Sequence, residues 1–178
     1  MLTAVPLLQA GTLILAYLVF TLWCYRLPLR RFLQRRQGAN ILVAYASEGG
    51  TAAALAEQLQ QQLQQQGDHA HCVTLNQLQS QTLLQARQLF IVASTYGDGE
   101  APDNGRFFLP RLQQVQTALP HLQYAVLALG DRHYAHFCAF GLQVQQALQQ
   151  CGAHPLFAPV LVSGNDRAAL EQWQQQLS

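Results

Sequence analysis

Three uncharged apolar runs constrain the fold of this chain more than any other feature. Ile41-Leu42-Val43-Ala44-Tyr45, Leu89-Phe90-Ile91-Val92-Ala93 and Tyr124-Ala125-Val126-Leu127-Ala128-Leu129 each fit a strand covered on both faces. Helical patterns separate them. Over 51–66, Ala52, Leu55, Ala56, Leu59 and Leu63 form one apolar stripe that Gly67-Asp68 closes. Cys72-Val73-Thr74-Leu75 reads as a shorter strand, and 77–87 as an irregular helix. A third helix is predicted over 106–117, with a break at Pro110, and a fourth over 137–150 with Phe137, Phe140, Val144, Ala147 and Leu148 inward. A last strand, 156–162, contains Pro159 and so belongs at a sheet edge. Asn165 or Asp166 caps a closing helix over 166–176. Regular alternation of strand and helix predicts an α/β fold, a doubly wound parallel sheet of five strands in the order 2-1-3-4-5.

The charge is unevenly placed. All ten basic residues of the 178 are Arg, and five of them (Arg26, Arg30, Arg31, Arg35, Arg36) follow an uncharged stretch at 6–25. Twenty helical residues rise ~30 Å, the hydrocarbon thickness of a bilayer. Trp23 and Tyr25 sit at one end of the stretch, where amphipathic rings prefer the interface. The sequence therefore predicts a single-pass anchor and basic juxtamembrane segment over 1–36, holding lipid, and a domain over 37–178 facing the cytoplasm. A cleaved signal peptide competes with this reading, but it lacks a basic leader and a small-residue cleavage site. From position 37 onward five Arg face nine acids, a net of about four negative charges, which excludes a phosphate-neutralising nucleic-acid surface. The four cysteines show no metal spacing, and His133 and His136 lack a third ligand, so no metal site is expected.

Each of the three strong strands ends in a loop suited to binding. Ser47-Glu48-Gly49-Gly50-Thr51 opens a helix with backbone N–H groups that favour an anion. It contains neither the Lys of a Walker loop nor the G-x-G-x-x-G of a dinucleotide fold. Ser94-Thr95-Tyr96-Gly97-Asp98-Gly99-Glu100 and Gly130-Asp131-Arg132-His133-Tyr134 each add a tyrosine near the same sheet edge. Two tyrosines beside a phosphate site suit a planar ring with a phosphate tail.

These segments resemble the FMN domain of flavodoxin-like proteins, above all the version in diflavin reductases such as the sulfite reductase flavoprotein. Ala46 to Ala52 resembles the phosphate loop, Ser94 to Glu100 the loop over one ring face, and Leu129-Gly130-Asp131-Arg132-His133-Tyr134-Ala135-His136-Phe137-Cys138 the loop over the other. The resemblance implies a flavodoxin-like fold and FMN as cofactor. Ser47 and Thr51 would bond the phosphate with their hydroxyls, joined by N–H groups from Glu48, Gly49, Gly50, Thr51 and Ala52. Tyr96 and Tyr134 would enclose the ring, with Ser94, Thr95, Gly99, Leu129, Gly130, His136, Phe137 and Cys138 around it. Gly97 would offer a carbonyl to the ring N–H, and Asp131 would lie near the ring edge or ribityl chain. Two features depart from the family pattern: Gly49 stands where the family has Thr, and Glu48 brings a carboxylate to the phosphate position.

The diflavin reductases continue into FAD- and NADPH-binding halves, whereas only five residues follow Trp173 here. The expectation is therefore an electron-transfer flavoprotein supplied by a separate NAD(P)H-dependent reductase. It would pass electrons to a redox protein acceptor in the membrane or cytoplasm. The alternatives are a tethered binding module with a decayed flavin site and a direct quinone or ferric reductase.

Overall fold

The computed structural model describes residues 41–114 and 118–177. At its centre lie β1 (Ile41–Ala46), β3 (Gln88–Ser94) and β4 (Gln123–Gly130), with β2 (Ala70–Thr74) outside β1. Among the described residues five α-helices connect or follow the strands: α1 (Thr51–Gln65), α2 (Ser80–Gln85), α3 (Phe108–Gln114), α4 (Ala139–Gln150) and α5 (Arg167–Leu177). Among the described residues every strand pairing is parallel, and with β5 (His154–Pro155) beside β4 the order is β2-β1-β3-β4-β5 as predicted.

Side chains of a strand point alternately to its two faces, and here both faces are covered. Leu42, Ala44, Leu89, Ile91, Val126 and Ala128 pack with Phe108 and Leu112 of α3 and Phe140 and Val144 of α4. The intervening residues Val43, Phe90, Val92, Ala125 and Leu127 pack with Ala56, Leu59 and Leu63 of α1 and with Trp173 of α5. This double cover explains why the three strands read as unbroken apolar runs.

The register then sets the functional edge. Ala46 pairs with Ala93, and Ser94 with Leu129, so β1, β3 and β4 end level. The loops after them emerge side by side.

The fifth strand differs from the expectation. It is split into β5 (His154–Pro155) and β6 (Val160–Ser163), both paired with β4, and the predicted 156–162 strand is interrupted over 156–159. Pro159 has no N–H to give a ladder and restricts Ala158 before it, so pairing resumes only at Val160. The third helix begins at Phe108, which puts Pro110 in its first turn, where a missing N–H costs nothing. Positions 115–117 lie outside the described residues.

The predicted membrane localisation is overturned. Among the described residues no helix is long and apolar enough to cross a membrane. The longest, the 15-residue α1, rises only ~22 Å and buries a single stripe. The expected anchor at 6–25 lies outside the described residues.

Candidate functional site

The turn between β1 and α1 leaves its polar groups open. Gly50, the N-cap of α1, takes a left-handed conformation (φ 87°) and no side chain caps the helix. The first helical bond runs from Ala54 N–H to Gly50 O, so the N–H groups ahead of it have no helical acceptor. Ser47 Oγ is buried and has no hydrogen-bond partner among the described residues. Ser47 N–H donates to Asn104 Oδ1 at 2.9 Å. Glu48 turns sideways, its Oε2 accepting the Asp103 N–H at 3.4 Å. Nothing lies within 4 Å of a Cβ built on Gly49. Ala52 is fully buried against the sheet, so only its backbone is left to the turn.

Beside the turn is a cleft of about 560 Å³, within the size range of small-molecule sites. Thr51, Ser94, Thr95, Tyr96 and Gly97 line it from one side, and Leu129, Gly130, Asp131, Tyr134, His136 and Cys138 from the other. Thr95 N–H donates to Leu129 O at 2.9 Å, and Thr95 Oγ1 accepts the Phe140 N–H at 3.3 Å, which ties the second loop to the third. Tyr96 and Glu100 exchange two backbone bonds of 2.9 and 2.8 Å around a tight turn. Tyr96 and Tyr134 are 53% and 58% exposed, unusual for rings of this size unless something covers them. Gly99 packs on His136 without lining the cleft, and Phe137 is half-buried under the Arg132 guanidinium, 5.6 Å from its ring centre.

A parallel sheet with an uncapped helix start and an aromatic-lined cleft at its carboxyl edge matches a known family. The flavodoxin family profile fits residues 43–174. The chain belongs to the flavodoxin family. Its cofactor is FMN, and the domain is an electron-transfer domain. It is similar to the sulfite reductase [NADPH] flavoprotein alpha-component of Vibrio vulnificus, 32% identical over 142 residues that cover 79% of this chain and 23% of that one. The same component of Thiocapsa roseopersicina is 32% identical over 148 residues, 82% of this chain and 28% of that one. The chain thus spans about a quarter of the length of these curated relatives. Among solved structures, a flavodoxin of Streptococcus pneumonia superposes with a TM-score of 0.67 at 25% identity, covering 78% of this chain and 97% of that one.

Electrostatics distinguish two residues of this flavodoxin-family cleft. Asp131 Oδ1 accepts the His133 N–H at 2.9 Å and lies 2.6 Å from His133 Nδ1. These bonds, the backbone one first, hold its carboxyl below the usual carboxylate range. Cys138 is the one non-glycine residue with positive φ among those described (56°), and it precedes α4, which therefore starts at Ala139 and not at 137. Its thiol is buried and donates to Ala128 O at 3.2 Å, and burial pushes its pKa up to about 11. A neutral, bonded thiol serves packing, not redox chemistry.

Gly164 and Asn165 also line the cleft; in the sequence Asn165 stood only as a candidate helix cap and Gly164 was not singled out. Gly164 N–H donates to Gly130 O at 3.2 Å, and Ser163 Oγ accepts the Arg132 N–H at 3.1 Å, so a fourth loop braces the third. A Gly-Asn pair after an apolar strand was the available signal. The cap proves to be Asp166, whose Oδ1 accepts the Ala169 N–H at 3.2 Å.

Proposed function

We propose that this domain holds FMN with its phosphate on the β1–α1 turn and its ring between Tyr96 and Tyr134, and relays electrons from an NAD(P)H-dependent reductase to a redox protein acceptor. The observation that carries the reading is the buried Ser47 Oγ, without a partner among the described residues, at an uncapped helix start. A hydroxyl without a partner in a protein interior is costly, and a phosphate oxygen is the acceptor that such a turn favours. The N–H groups of the turn, from Glu48 to Ala52, and the Thr51 hydroxyl complete the set. No Lys or Arg is needed, because the helix dipole supplies the positive end.

Glu48 no longer counts against the site. Its carboxylate is bonded to the Asp103 N–H, which keeps that charge engaged with the neighbouring loop. The alternative of a decayed flavin site then rests on Gly49 alone.

FMN supplies one- and two-electron chemistry when bound. The chain's part is to bind, orient and screen it. Tyr96 and Tyr134 would cover the ring faces, and Gly97, at φ 52° in the turn, would offer its peptide to the ring edge. The exposed lips of the cleft leave that edge open to a protein partner. Relationship to the sulfite reductase flavoproteins supports the direction of flow, since their names specify NADPH as the reductant.

The test uses the full chain loaded with FMN. NADPH alone should leave the flavin oxidised, NADPH with a catalytic amount of ferredoxin–NADP reductase should bleach it, and added cytochrome c should restore the colour. Rapid bleaching by NADPH without a reductase would replace the carrier reading with a direct reductase.

A further inference from the structure

Asn76, in the 3-10 turn Leu75–Gln77 after β2, commits every polar group it has to a segment far away in sequence. Its backbone N–H donates to Asn104 O at 2.9 Å, and its Nδ2 donates to Asp103 O at 2.8 Å. Its Oδ1 accepts the Phe107 N–H at 2.9 Å, and its carbonyl accepts the Arg111 guanidinium. Residues 103–107 have no strand or helix of their own, so these long-range bonds hold them together with the local bond from Gly105 N–H to Pro102 O.

From its other side the same segment meets the turn after β1. Asn104 Oδ1 accepts the Ser47 N–H at 2.9 Å, and the Asp103 N–H reaches Glu48 at 3.4 Å. Gly105 comes so close to Ala46 that an added Cβ would stand 2.6 Å from the Ala46 Cβ. Side-chain bonding and close packing thus hold the segment at one place.

We infer that Asn104 is a positioning residue for the FMN phosphate and that Asn76 holds Asn104 in place; this rests on the reading that the β1–α1 turn receives the phosphate. By engaging the Ser47 N–H, Asn104 fixes the backbone from which the unpartnered Ser47 hydroxyl projects. A turn already in its binding geometry loses less on binding. Without that acceptor a half-buried N–H is left unpaired and the turn must rearrange. The contribution falls on the phosphate end alone. It therefore separates FMN from riboflavin, which shares the ring and lacks the phosphate.

The test is a pair of titrations of the full chain, stripped of flavin, with FMN and with riboflavin, followed by quenching of flavin fluorescence. Asn104→Ala should raise the FMN Kd about tenfold and leave the riboflavin Kd within about twofold. Asn76→Ala, which sits a further step from the site, should show the same selective loss, and it carries the test if Asn104→Ala fails to fold. The double variant should cost no more than Asn104→Ala alone, because both act on one path. Equal weakening of both flavins, an unchanged FMN Kd, or additive losses would overturn the inference. A wild-type chain that binds FMN and riboflavin equally well would overturn the phosphate site beneath it.

Discussion

A Cβ built on Gly99 would stand 2.9 Å from the Cβ of His136, closer than side chains pack. The loop after β3 therefore rests on the loop after β4 through a bare backbone, and Gly99 holds a φ of 105° to do it. Gly99→Ala should cost about 1–3 kcal/mol of stability from the strained conformation, with a further loss from the contact. Adding His136→Gly removes the contact and leaves the strain, so the double variant should recover part of the loss. Thermal denaturation of the three variants checks this. No recovery would mean that the two loops are not pressed together.

Cys138 sets a pH dependence at the alkaline end. Burial raises its thiol from 9.0 to about 11, so the folded state favours the neutral form. The stabilisation is whole below pH 9, the unfolded value, and is lost as pH rises through about 11. Cys138→Ala should flatten the fall in denaturant midpoint across that window. A slope should remain, because burial and then Glu57 also raise Cys72 to about 11. Identical slopes in the two proteins would remove Cys138 from the account.

The apolar runs made the central sheet legible, because strands covered on both faces leave no polar residue to interrupt them. The loops were legible for a related reason, since Gly, Tyr and Asp at strand ends have few other uses. The fifth strand was misjudged at Pro159, where one missing N–H splits what hydropathy reads as continuous. The Ser47–Asn104 bond spans 57 positions and depends on β1 and β3 ending in register, which no local pattern records. Gly164 and Asn165 were missed because their loop returns to the cleft through its bonds to Gly130 and Arg132.

Asp131 bears on the potential of the bound flavin. It lines the cleft and its carboxylate is held ionised by His133, so full reduction, which adds negative charge to the ring, is opposed. Asp131→Asn should raise the midpoint for full reduction. Because the carboxylate is exposed, the difference should shrink as salt shortens the screening length from ~10 Å at 0.1 M to ~3 Å at 1 M. Its lowered pKa keeps the charge in place through mildly acidic solution, so the difference should stay level from neutral pH down toward the usual carboxylate range. Midpoints that match the wild type at low salt would place Asp131 away from the ring.

Ser47 offers a test in which two measurements move in opposite directions. In the flavin-free chain its buried Oγ has no partner among the described residues, so its desolvation is uncompensated. Ser47→Ala removes that hydroxyl without opening a sizeable cavity, and the flavin-free chain should gain up to ~1 kcal/mol in denaturant unfolding. The same change deletes a donor to the phosphate, so FMN affinity should fall about tenfold. Ser47→Thr keeps the hydroxyl and should keep most of the affinity if the extra methyl fits. A hydroxyl that only stabilised the turn would give the reverse of the first result, a less stable flavin-free chain. A gain in stability together with a loss of FMN is what a turn built around an absent phosphate must produce.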